Sequence, residues 1–327
     1  MCLGITTDGS REGGTVMTLI AVDWGTSALR GVLLGEHGEV IDQCTSDQGI
    51  LKVPAGQFAS VFRANFGHWL DANASLTLIS GMAGSQQGWV EAPYCACPAG
   101  FEELSAKLQW INAEGITTPV AIVPGLSCEH SGIPDVMRGE EIQVFGALQL
   151  LSRVEATVVL PGTHSKWVTV RGQRILHFRS YMTGEVFALL RQHSLLARTL
   201  PSMADGAPPE AEDTEAFDDG VTHALRSQSL LNTAFSTRTL ALFGRKSPSA
   251  LASYLSGLVI GEELRAEHPE PGCEVIVIGS PALTQRYARA LALCQIKVQQ
   301  IGSESTWNGL WSLSKTLQTT VKPFPNY

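Results

Sequence analysis

The ten residues Thr18-Leu-Ile-Ala-Val-Asp-Trp-Gly-Thr-Ser27 decide the fold that the sequence predicts. Their apolar first half predicts a short buried strand, which ends in a turn of glycine and hydroxyl residues. Further strands are predicted from Leu29 to Leu34 and, after a polar turn, from Val40 to Cys44. Strands joined by short polar turns form an antiparallel meander. The chain therefore does not open with the strand and helix of a dinucleotide-binding fold.

The same plan recurs in the second half of the chain. A strand predicted from Thr157 to Leu160 ends in Pro161-Gly-Thr-His-Ser-Lys166, and strands follow from Trp167 to Val170 and from Arg174 to Phe178. A length of 327 residues also suits two domains at roughly 100–200 residues each. We therefore predict an N-terminal lobe over 17–153 and a C-terminal lobe over 154–327, after a disordered extension over 1–16.

The other segments with clear patterns alternate between helices and buried strands. Helices are predicted at 55–70, 101–108, 140–152, 251–264 and 282–293, and strands at 76–79, 120–123 and 274–278. The segment 201–219 is rich in proline, alanine and acids, which predicts an exposed connection.

Composition narrows the class of partner. A formal net charge of −8 disfavours nucleic acid, because binding phosphates needs a basic face. Seven cysteines without regular spacing indicate reduced thiols in a cytoplasmic protein, and we interpret Cys128-Glu129-His130 as ordinary loop or core residues rather than a metal fragment. No secretory signal and no apolar run of about 20 residues is visible, so we expect no membrane partner.

Three junctions between a strand and a turn carry glycine and hydroxyl residues: Asp23–Ser27, Pro161–Lys166 and Gly279–Pro281. Glycine lets a backbone approach a ligand closely, and N–H and hydroxyl groups suit phosphate oxygens. A carboxylate beside phosphates, here Asp23, implies Mg²⁺ between them. One such turn is weak evidence, since hairpins often carry Gly-Thr. Two turns in the same plan, one per half, favour a nucleotide held between the halves, although the P-loop and G-x-G-x-x-G motifs are absent.

These strings resemble known motifs. Asp23–Ser27 looks like the first phosphate motif of the actin-like ATPase and sugar-kinase superfamily, Pro161–His164 like its second, and Ile278–Ser280 like its adenosine motif. Longer strings resemble the 2-dehydro-3-deoxygalactonokinase family, from about Met17 to Gly302: Ser80–Trp89, Val136–Glu141, Leu160–Val168 and Leu255–Glu262.

The resemblance implies an α/β, two-lobed actin-like ATPase (ribonuclease H-like) fold, with mixed sheets flanked by helices and a nucleotide in the interlobe cleft. It also implies ATP- and Mg²⁺-dependent phosphorylation of the 6-hydroxyl of 2-dehydro-3-deoxy-D-galactonate. On this basis the ATP phosphates are assigned to Gly25, Thr26, Ser27, Gly162, Thr163, His164 and Lys166. Adenosine is assigned to Gly279 and Ser280, and Mg²⁺ to Asp23.

The catalytic base is predicted at the start of the helix before the second phosphate turn. Related kinases place an acidic residue there, and this chain offers Glu140 and Glu141, of which we favour Glu140. The alternative is that both simply favour a helix N-terminus.

The sugar acid is predicted to contact the loop after the fourth strand and an arginine. Ser85 and Gln86 suit its hydroxyls and Trp89 an apolar wall, although a tight turn with a core tryptophan is the alternative. Arginine binds carboxylates through two parallel hydrogen bonds. The candidates are Arg30, Arg138 and Arg179, and Arg138 is favoured by its Gly-rich string.

Several alternatives stay open at this point. Lys166 either contacts a phosphate or lies at a solvated position of a strand. Gly257 and Gly261 allow close helix packing, either beside the adenine or without any contact to a ligand. The protein is a kinase for another 2-keto-3-deoxy sugar acid, such as 2-dehydro-3-deoxygluconate, if the stereochemistry differs. It is a non-catalytic regulator if it binds without turnover, and a homo-oligomer is compatible with either reading.

Overall fold

The computed structural model describes residues 18–72, 74–113, 115–201 and 213–320. The predicted extension over 1–16 and most of the predicted connection over 201–219 lie outside the described residues. The strands are β1 (Leu19–Trp24), β2 (Leu29–Leu34), β3 (Val40–Ser46), β4 (Leu76–Gly81), β5 (Tyr94–Ala96), β6 (Gln109–Ile111), β7 (Val120–Ile122), β8 (Gly125–His130), β9 (Ile133–Met137), β10 (Ala156–Leu160), β11 (Ser165–Arg171), β12 (Arg174–Tyr181), β13 (Glu274–Ile278) and β14 (Lys297–Ile301). The α-helices are α1 (Phe58–Asp71), α2 (Phe101–Ala106), α3 (Glu140–Leu150), α4 (Thr183–His193), α5 (Thr214–Arg226), α6 (Leu230–Leu242), α7 (Pro248–Glu267), α8 (Pro281–Leu293) and α9 (Glu304–Thr320).

Two mixed sheets share one topology. The first has the order β3-β2-β1-β4-β7-β6 and the second β12-β11-β10-β13-β14. In each sheet a middle strand, β1 or β10, pairs antiparallel with the next strand and parallel with a later one. The predicted repeat and the predicted mixed sheets flanked by helices are therefore confirmed. Both predicted phosphate turns follow these middle strands, so they occupy equivalent places in the two sheets.

The second turn is shorter than predicted. β11 begins at Ser165, and Leu160 pairs with Lys166 across the hairpin. Ser165 and Lys166 are thus strand residues, because the ladder of hydrogen bonds closes two residues earlier than the apolar pattern indicates. Only residues 161–164 form the turn.

A layer of two helices, α3 and α9, fills the space between the sheets. α3 contacts β10 and β13 of the second sheet, whereas α9, from the end of the chain, contacts β1 and β4 of the first. The side chains of one continuous apolar core join both sheets to these helices; they include Leu19, Ala21, Phe145, Leu148, Val158, Leu160, Leu310 and Leu313. The division into lobes at residue 153 remains a proposal, since α9 crosses back to the first sheet.

Glycine allows α3 and α9 to cross closely. A Cβ atom at Gly309 would overlap the carbonyl oxygen of Ile142, and one at Gly146 would overlap that of Ser305. The two helix backbones are therefore in direct contact. This contact fixes α3 relative to the first sheet through α9.

A small third sheet, β5-β8-β9, attaches the first half of the chain to the second. Ala99 and Ile175 exchange backbone hydrogen bonds of 3.0 and 2.8 Å, and the Asp135 carboxylate accepts the Ser180 N–H at 2.8 Å. The edge strand β12 is thereby tied to the segment that leads into α3. Among the described residues, no helix combines the length and the apolar character that crossing a membrane requires.

We predict that Gly309→Ala destabilises the protein. Alanine has the higher helix propensity by about 1 kcal/mol, but its methyl group must separate α3 from α9, and overpacking typically costs about 1–3 kcal/mol. Gly67→Ala in α1 is the matched control, since its nearest neighbour would be the flexible Arg63 side chain at 3.4 Å. Urea unfolding should show a loss for the first and no loss for the second. Equal stabilities of the two variants would contradict the close crossing.

Candidate active site

The first phosphate turn is held by the segment that follows β3. Gly25 N–H donates to the Ala28 carbonyl at 2.9 Å, and Ile50 N–H donates to the Gly25 carbonyl at 3.0 Å. A Cβ at Gly49 would overlap the backbone of the turn, so this approach requires glycine. The side chains of Thr26 and Ser27 remain exposed. The turn therefore presents two hydroxyls on a fixed backbone.

The second phosphate turn rests on the start of α4. Glu185 N–H donates to the Thr163 carbonyl at 3.0 Å, and the His164 Nε2 lies 2.6 Å from the Glu185 carboxylate. A side chain at Gly184 would overlap the carbonyl of Gly162. Thr163 and His164 are exposed, as the assignment to a ligand requires.

The predicted adenosine string lies beside the second turn. β13 is the parallel neighbour of β10, and a Cβ at Gly279 would stand 3.8 Å from the Pro161 carbonyl oxygen. Gly279 N–H donates to Ile301 at 3.1 Å, and Ser280 is exposed at the N-cap of α8. The second sheet thus brings both of its predicted nucleotide strings to one edge.

Asp23 faces the helix layer between the sheets. Side chains alternate along a strand, and Asp23 shares its face with Leu19 and Ala21, which pack into the core around α3 and α9. Its Oδ1 would lie 3.3 Å from a Cβ on Gly81 at the end of β4. Gly81 also approaches Gly139, the N-cap of α3: a Cβ built on Gly139 would lie 3.2 Å from the Cα of Gly81. Both glycines have positive φ angles of 94° and 105°, which other residues adopt rarely. This close approach brings the start of α3 to Asp23.

Glu140 is the partly exposed acid at the first position of α3. Its Oε2 accepts the Arg138 N–H at 2.9 Å. Burial raises the pKa of Glu140, the Lys166 ammonium opposes that shift, and the Asp23 carboxylate adds to it. A carboxylate with a raised pKa is a stronger base.

Lys166 reaches the same place from the second sheet. It is buried, and its Nζ donates to the Val136 carbonyl at 3.0 Å and to the Ser180 hydroxyl. The alternative of a solvated strand residue is therefore wrong. Lys166 is two residues before the core residue Val168 on β11, so both side chains lie on the inward face of the strand. The structure thus brings together Asp23, Glu140 and Lys166, which are far apart in sequence.

Glu141 has a different environment from Glu140. It is fully buried, and both of its carboxylate oxygens accept the Gly139 N–H, at 2.8 and 3.0 Å. Burial and the neighbouring Glu140 charge raise the pKa of Glu141 to about 8, against the opposing effect of Arg138. Only Glu140 of the predicted pair has an exposed surface on which to meet a substrate.

The candidate arginines separate into three environments. Arg30 is half-exposed and its guanidinium lies 2.6 Å from the Asp23 carboxylate, whose pKa is nevertheless raised by burial. Arg138 is buried over the Tyr94 ring, donates to Ala92 O at 2.8 Å, and leaves its Nε and one terminal nitrogen without a hydrogen-bond partner. Arg179 pairs with Glu267 at 3.2 Å.

The predicted sugar loop lines a pocket of about 400 Å³. Gln86 and Trp89 lie in its wall, whereas the Ser85 hydroxyl is held by the Met82 carbonyl at 2.8 Å. The opposite wall comes from the segment before α1 and from the first turn of α1, and includes Val53, Ala55, Gly56, Phe58 and Ala59. The Trp89 ring also packs on the Trp24 ring, with 6.0 Å between their centroids. Trp89 therefore lines the pocket and also makes the contacts expected of a core tryptophan.

Sequence reasoning missed part of this site. The wall over 53–59 carries no chemical motif and is identified only by its position opposite Gln86. A buried carboxylate near the second turn, Glu263, was also missed, although an acid within the apolar run of α7 was visible in the sequence. A Cβ at Gly257 or Gly261 would overlap α5, so both glycines allow close helix packing, and their place near adenine stays a prediction.

The acids present suit Mg²⁺ rather than a dedicated metal cage. Within the part of the chain that the structure describes, no three His, Cys, Asp or Glu side chains form a possible metal cluster. Mg²⁺ usually takes one or two carboxylates, with waters and substrate phosphates completing its shell. Asp23, whose side chain is 13% exposed, fits such a site beside a bound triphosphate.

Comparison with known proteins gives concordant results. The sequence profile of a family described as 2-keto-3-deoxy-galactonokinase matches residues 23–313. The chain is 30% identical to the 2-dehydro-3-deoxygalactonokinase of Escherichia coli K12, over 88% of this chain and 94% of that protein. A Rhizobium meliloti protein named "Probable 2-dehydro-3-deoxygalactonokinase" is 33% identical, over 87% of this chain and 92% of its own. A crystal structure of a Sinorhizobium meliloti protein described in the same terms has a TM-score of 0.82 at 30% identity, covering 92% of this chain and 99% of that one. The predicted α/β fold, with two mixed sheets of the same topology flanked by helices, is confirmed.

The raised pKa of Glu141 predicts a pH dependence of stability. The folded protein keeps this proton to about pH 8, whereas an unperturbed carboxyl releases it near 4.5. The contribution of the protonated Glu141 carboxyl to the free energy of unfolding is therefore complete below pH 4.5 and is lost as pH rises toward 8. The Tm of the wild type should fall more steeply between pH 5.5 and 9 than that of Glu141→Gln. The exposed Glu155→Gln variant is the control and should keep the wild-type slope. Parallel slopes for wild type and Glu141→Gln would contradict the buried, protonated carboxyl.

Proposed function

The chain belongs to the 2-keto-3-deoxy-galactonokinase family, and we propose that it transfers the γ-phosphoryl group of ATP to the 6-hydroxyl of 2-dehydro-3-deoxy-D-galactonate, in galactonate catabolism. The observation that carries this proposal is that Asp23, Glu140 and Lys166 converge on the start of α3: Glu140 accepts the Arg138 N–H, Lys166 donates to the Val136 carbonyl just before it, and Asp23 faces the glycines where β4 meets α3. Phosphoryl transfer needs a base at the acceptor hydroxyl and positive charge at the phosphates. These three side chains supply both in one place.

ATP binds across the two turns in this proposal. Gly25, Thr26 and Ser27 meet the phosphates from the first sheet. Gly162, Thr163 and His164 meet them from the second, and Gly279 and Ser280 lie at the adenosine. Lys166 donates to the carbonyl of Val136, four residues before Glu140, and in this proposal its ammonium helps to offset phosphate charge. Asp23 would hold Mg²⁺, which neutralises charge on the β- and γ-phosphates when bound.

Glu140 accepts the proton of the 6-hydroxyl. The 6-oxygen then forms its bond to the γ-phosphorus, the bond from that phosphorus to the bridging oxygen breaks, and ADP leaves with the electron pair. Glu141 is unsuited to the role because both of its oxygens face the Gly139 N–H and none of its surface is exposed. It instead holds the start of α3.

The sugar acid occupies the pocket between Gln86 and the 53–59 segment in this proposal, with Trp89 as an apolar wall. Ser85 shapes the loop through its bond to Met82 O. For the carboxylate, Arg30 offers an exposed guanidinium once Asp23 engages the metal, whereas the two unpartnered nitrogens of Arg138 are buried and become available only if the loop at Gly84 moves. The described cysteines form no disulfides, which suits the reducing cytoplasm where we place the reaction.

We expect sugar-dependent ADP release in a coupled assay across a panel of 2-keto-3-deoxy sugar acids. The highest kcat/KM should belong to 2-dehydro-3-deoxygalactonate, since a site built to bond a hydroxyl discriminates against its misplacement. A higher value for the gluconate epimer would reassign the substrate. Binding of the sugar acid without turnover of any panel member would contradict the kinase proposal and favour a regulator.

Glu140→Gln should lower kcat about 100-fold or more, because a positioned base typically contributes 10²–10⁴-fold. Glu141→Gln is the matched control one residue away and should retain most of the wild-type kcat. The KM for ATP of each of the two variants should stay close to that of the wild type. Steady-state kinetics at pH 7.5 distinguish the two variants. Near-normal turnover by Glu140→Gln would sink the assignment of the base.

A further inference from the structure

Glu263 is a buried carboxylate outside the site assigned above. It lies on α7, is 2% exposed, and accepts hydrogen bonds from four side chains. Its Oε1 accepts from Ser165 Oγ at 2.7 Å and from Trp167 Nε1 at 2.6 Å. Its Oε2 accepts from Tyr287 OH at 2.8 Å and from Thr183 Oγ1. Two carboxylate oxygens offer about four acceptor positions, so this carboxylate is saturated.

The four donors fall into two groups. Ser165 directly follows the second phosphate turn, and Thr183 begins α4, whose next two residues contact Gly162 and Thr163 of that turn. Trp167 and Tyr287 belong instead to the apolar core on the outer face of the second sheet. Each oxygen of Glu263 therefore joins one donor beside the turn to one donor in the core.

This arrangement is costly unless every donor is present. Taking a carboxylate out of water is unfavourable, and burial raises the pKa of Glu263, while the hydrogen bonds from Thr183, Ser165, Trp167 and Tyr287 oppose that shift. An apolar residue would fill the same space without that cost. The presence of a carboxylate at this buried position is explained if its four hydrogen bonds hold the neighbouring elements in place.

We propose that Glu263 is a positioning residue for nucleotide binding, which anchors the second phosphate turn to the rigid core of the second sheet through Ser165, at the end of the turn, and Thr183, at the start of the helix on which the turn rests. The inference rests on the proposed function, since it takes this turn to bind ATP phosphates. Glu263 acts through the turn and does not itself contact the nucleotide in this account. Loss of the anchor leaves the turn free to move, so nucleotide affinity falls while sugar-acid binding by the first half is preserved.

The first test is Glu263→Gln, in which an amide group replaces one acceptor oxygen and faces two donors. Calorimetry with a non-hydrolysable ATP analogue should show an affinity at least about fivefold weaker than that of the wild type. The KM of the sugar acid should change less than twofold. Glu262→Gln is the matched control on the same helix, since its carboxylate pairs with Arg265 at 2.5 Å at a half-exposed position. That control should bind the analogue as the wild type does.

A second pair of variants separates positioning from simple stability. Ser165→Ala removes a donor on the turn side, whereas Tyr287→Phe removes one on the core side. We expect Ser165→Ala to weaken analogue binding with a small loss of Tm, and Tyr287→Phe to lower Tm with affinity within twofold of wild type. This pair decides the question even if Glu263→Gln does not fold.

Two results would overturn the inference. One is wild-type analogue affinity in Glu263→Gln and Ser165→Ala, measured well below their Tm values. The other is a loss of affinity in Ser165→Ala and Tyr287→Phe that simply follows their losses of Tm. Wild-type protein that binds the analogue but turns over no sugar acid would reject the proposed function alone, and wild-type protein that binds no analogue would reject both.

Discussion

The close crossing of α3 and α9 is the constraint on which the rest of the molecule depends. Two glycines, Gly146 and Gly309, let the helix backbones touch, and the helices reach opposite sheets. Each half of the chain is thereby locked to the other. The crossing also fixes the start of α3, where Gly139 approaches Gly81 at the end of β4. A helix N-terminus held against a strand end is a place where acidic side chains are stabilised by the helix dipole. The fold therefore positions its acids before any ligand is present.

The electrostatics of this place follow from burial. Three carboxylates lie close together, and burial raises the pKa of each one. A cation opposes each shift: Arg30 for Asp23, Lys166 for Glu140 and Arg138 for Glu141. Each of the three carboxyl groups thus has a cationic partner, and the three environments differ in exposure. Glu140 and Asp23 are partly exposed, whereas Glu141 is fully buried. Groups with pKa values displaced by different surroundings are typical of catalytic sites, and this difference supports separate roles for two acids that adjoin in sequence.

Sequence reasoning was most reliable where a pattern is local. The repeated meander, with its apolar strands and Gly-Thr turns, predicted β2 to the residue and β1 and β10 to within two residues at either end, and a separate apolar run predicted β13 to the residue. It did not predict α6, because the buried side of this helix carries the small residues Thr233, Ala234 and Thr237 while the large apolar residues Leu231 and Phe235 are exposed, which reverses the pattern of an amphipathic helix. Nor did it predict the Glu263 network, since its donors come from β11, α4 and α8. The difference between Glu140 and Glu141 likewise arises from tertiary structure. The two residues are identical and adjacent, and they differ only because the Glu141 side chain faces the core whereas the Glu140 side chain is partly exposed.

The central claim is that the two turns, one from each sheet, hold the same magnesium–triphosphate with Glu140 at the acceptor hydroxyl. A crystal structure with a non-hydrolysable ATP analogue, Mg²⁺ and the sugar acid tests this most directly. The account predicts phosphate oxygens within hydrogen-bonding distance of both Thr26 and Thr163, the metal beside Asp23, and the 6-hydroxyl about 2.6–3.2 Å from Glu140. A ternary complex in which the triphosphate contacts only one of these turns, or in which the 6-hydroxyl faces another base, would contradict it.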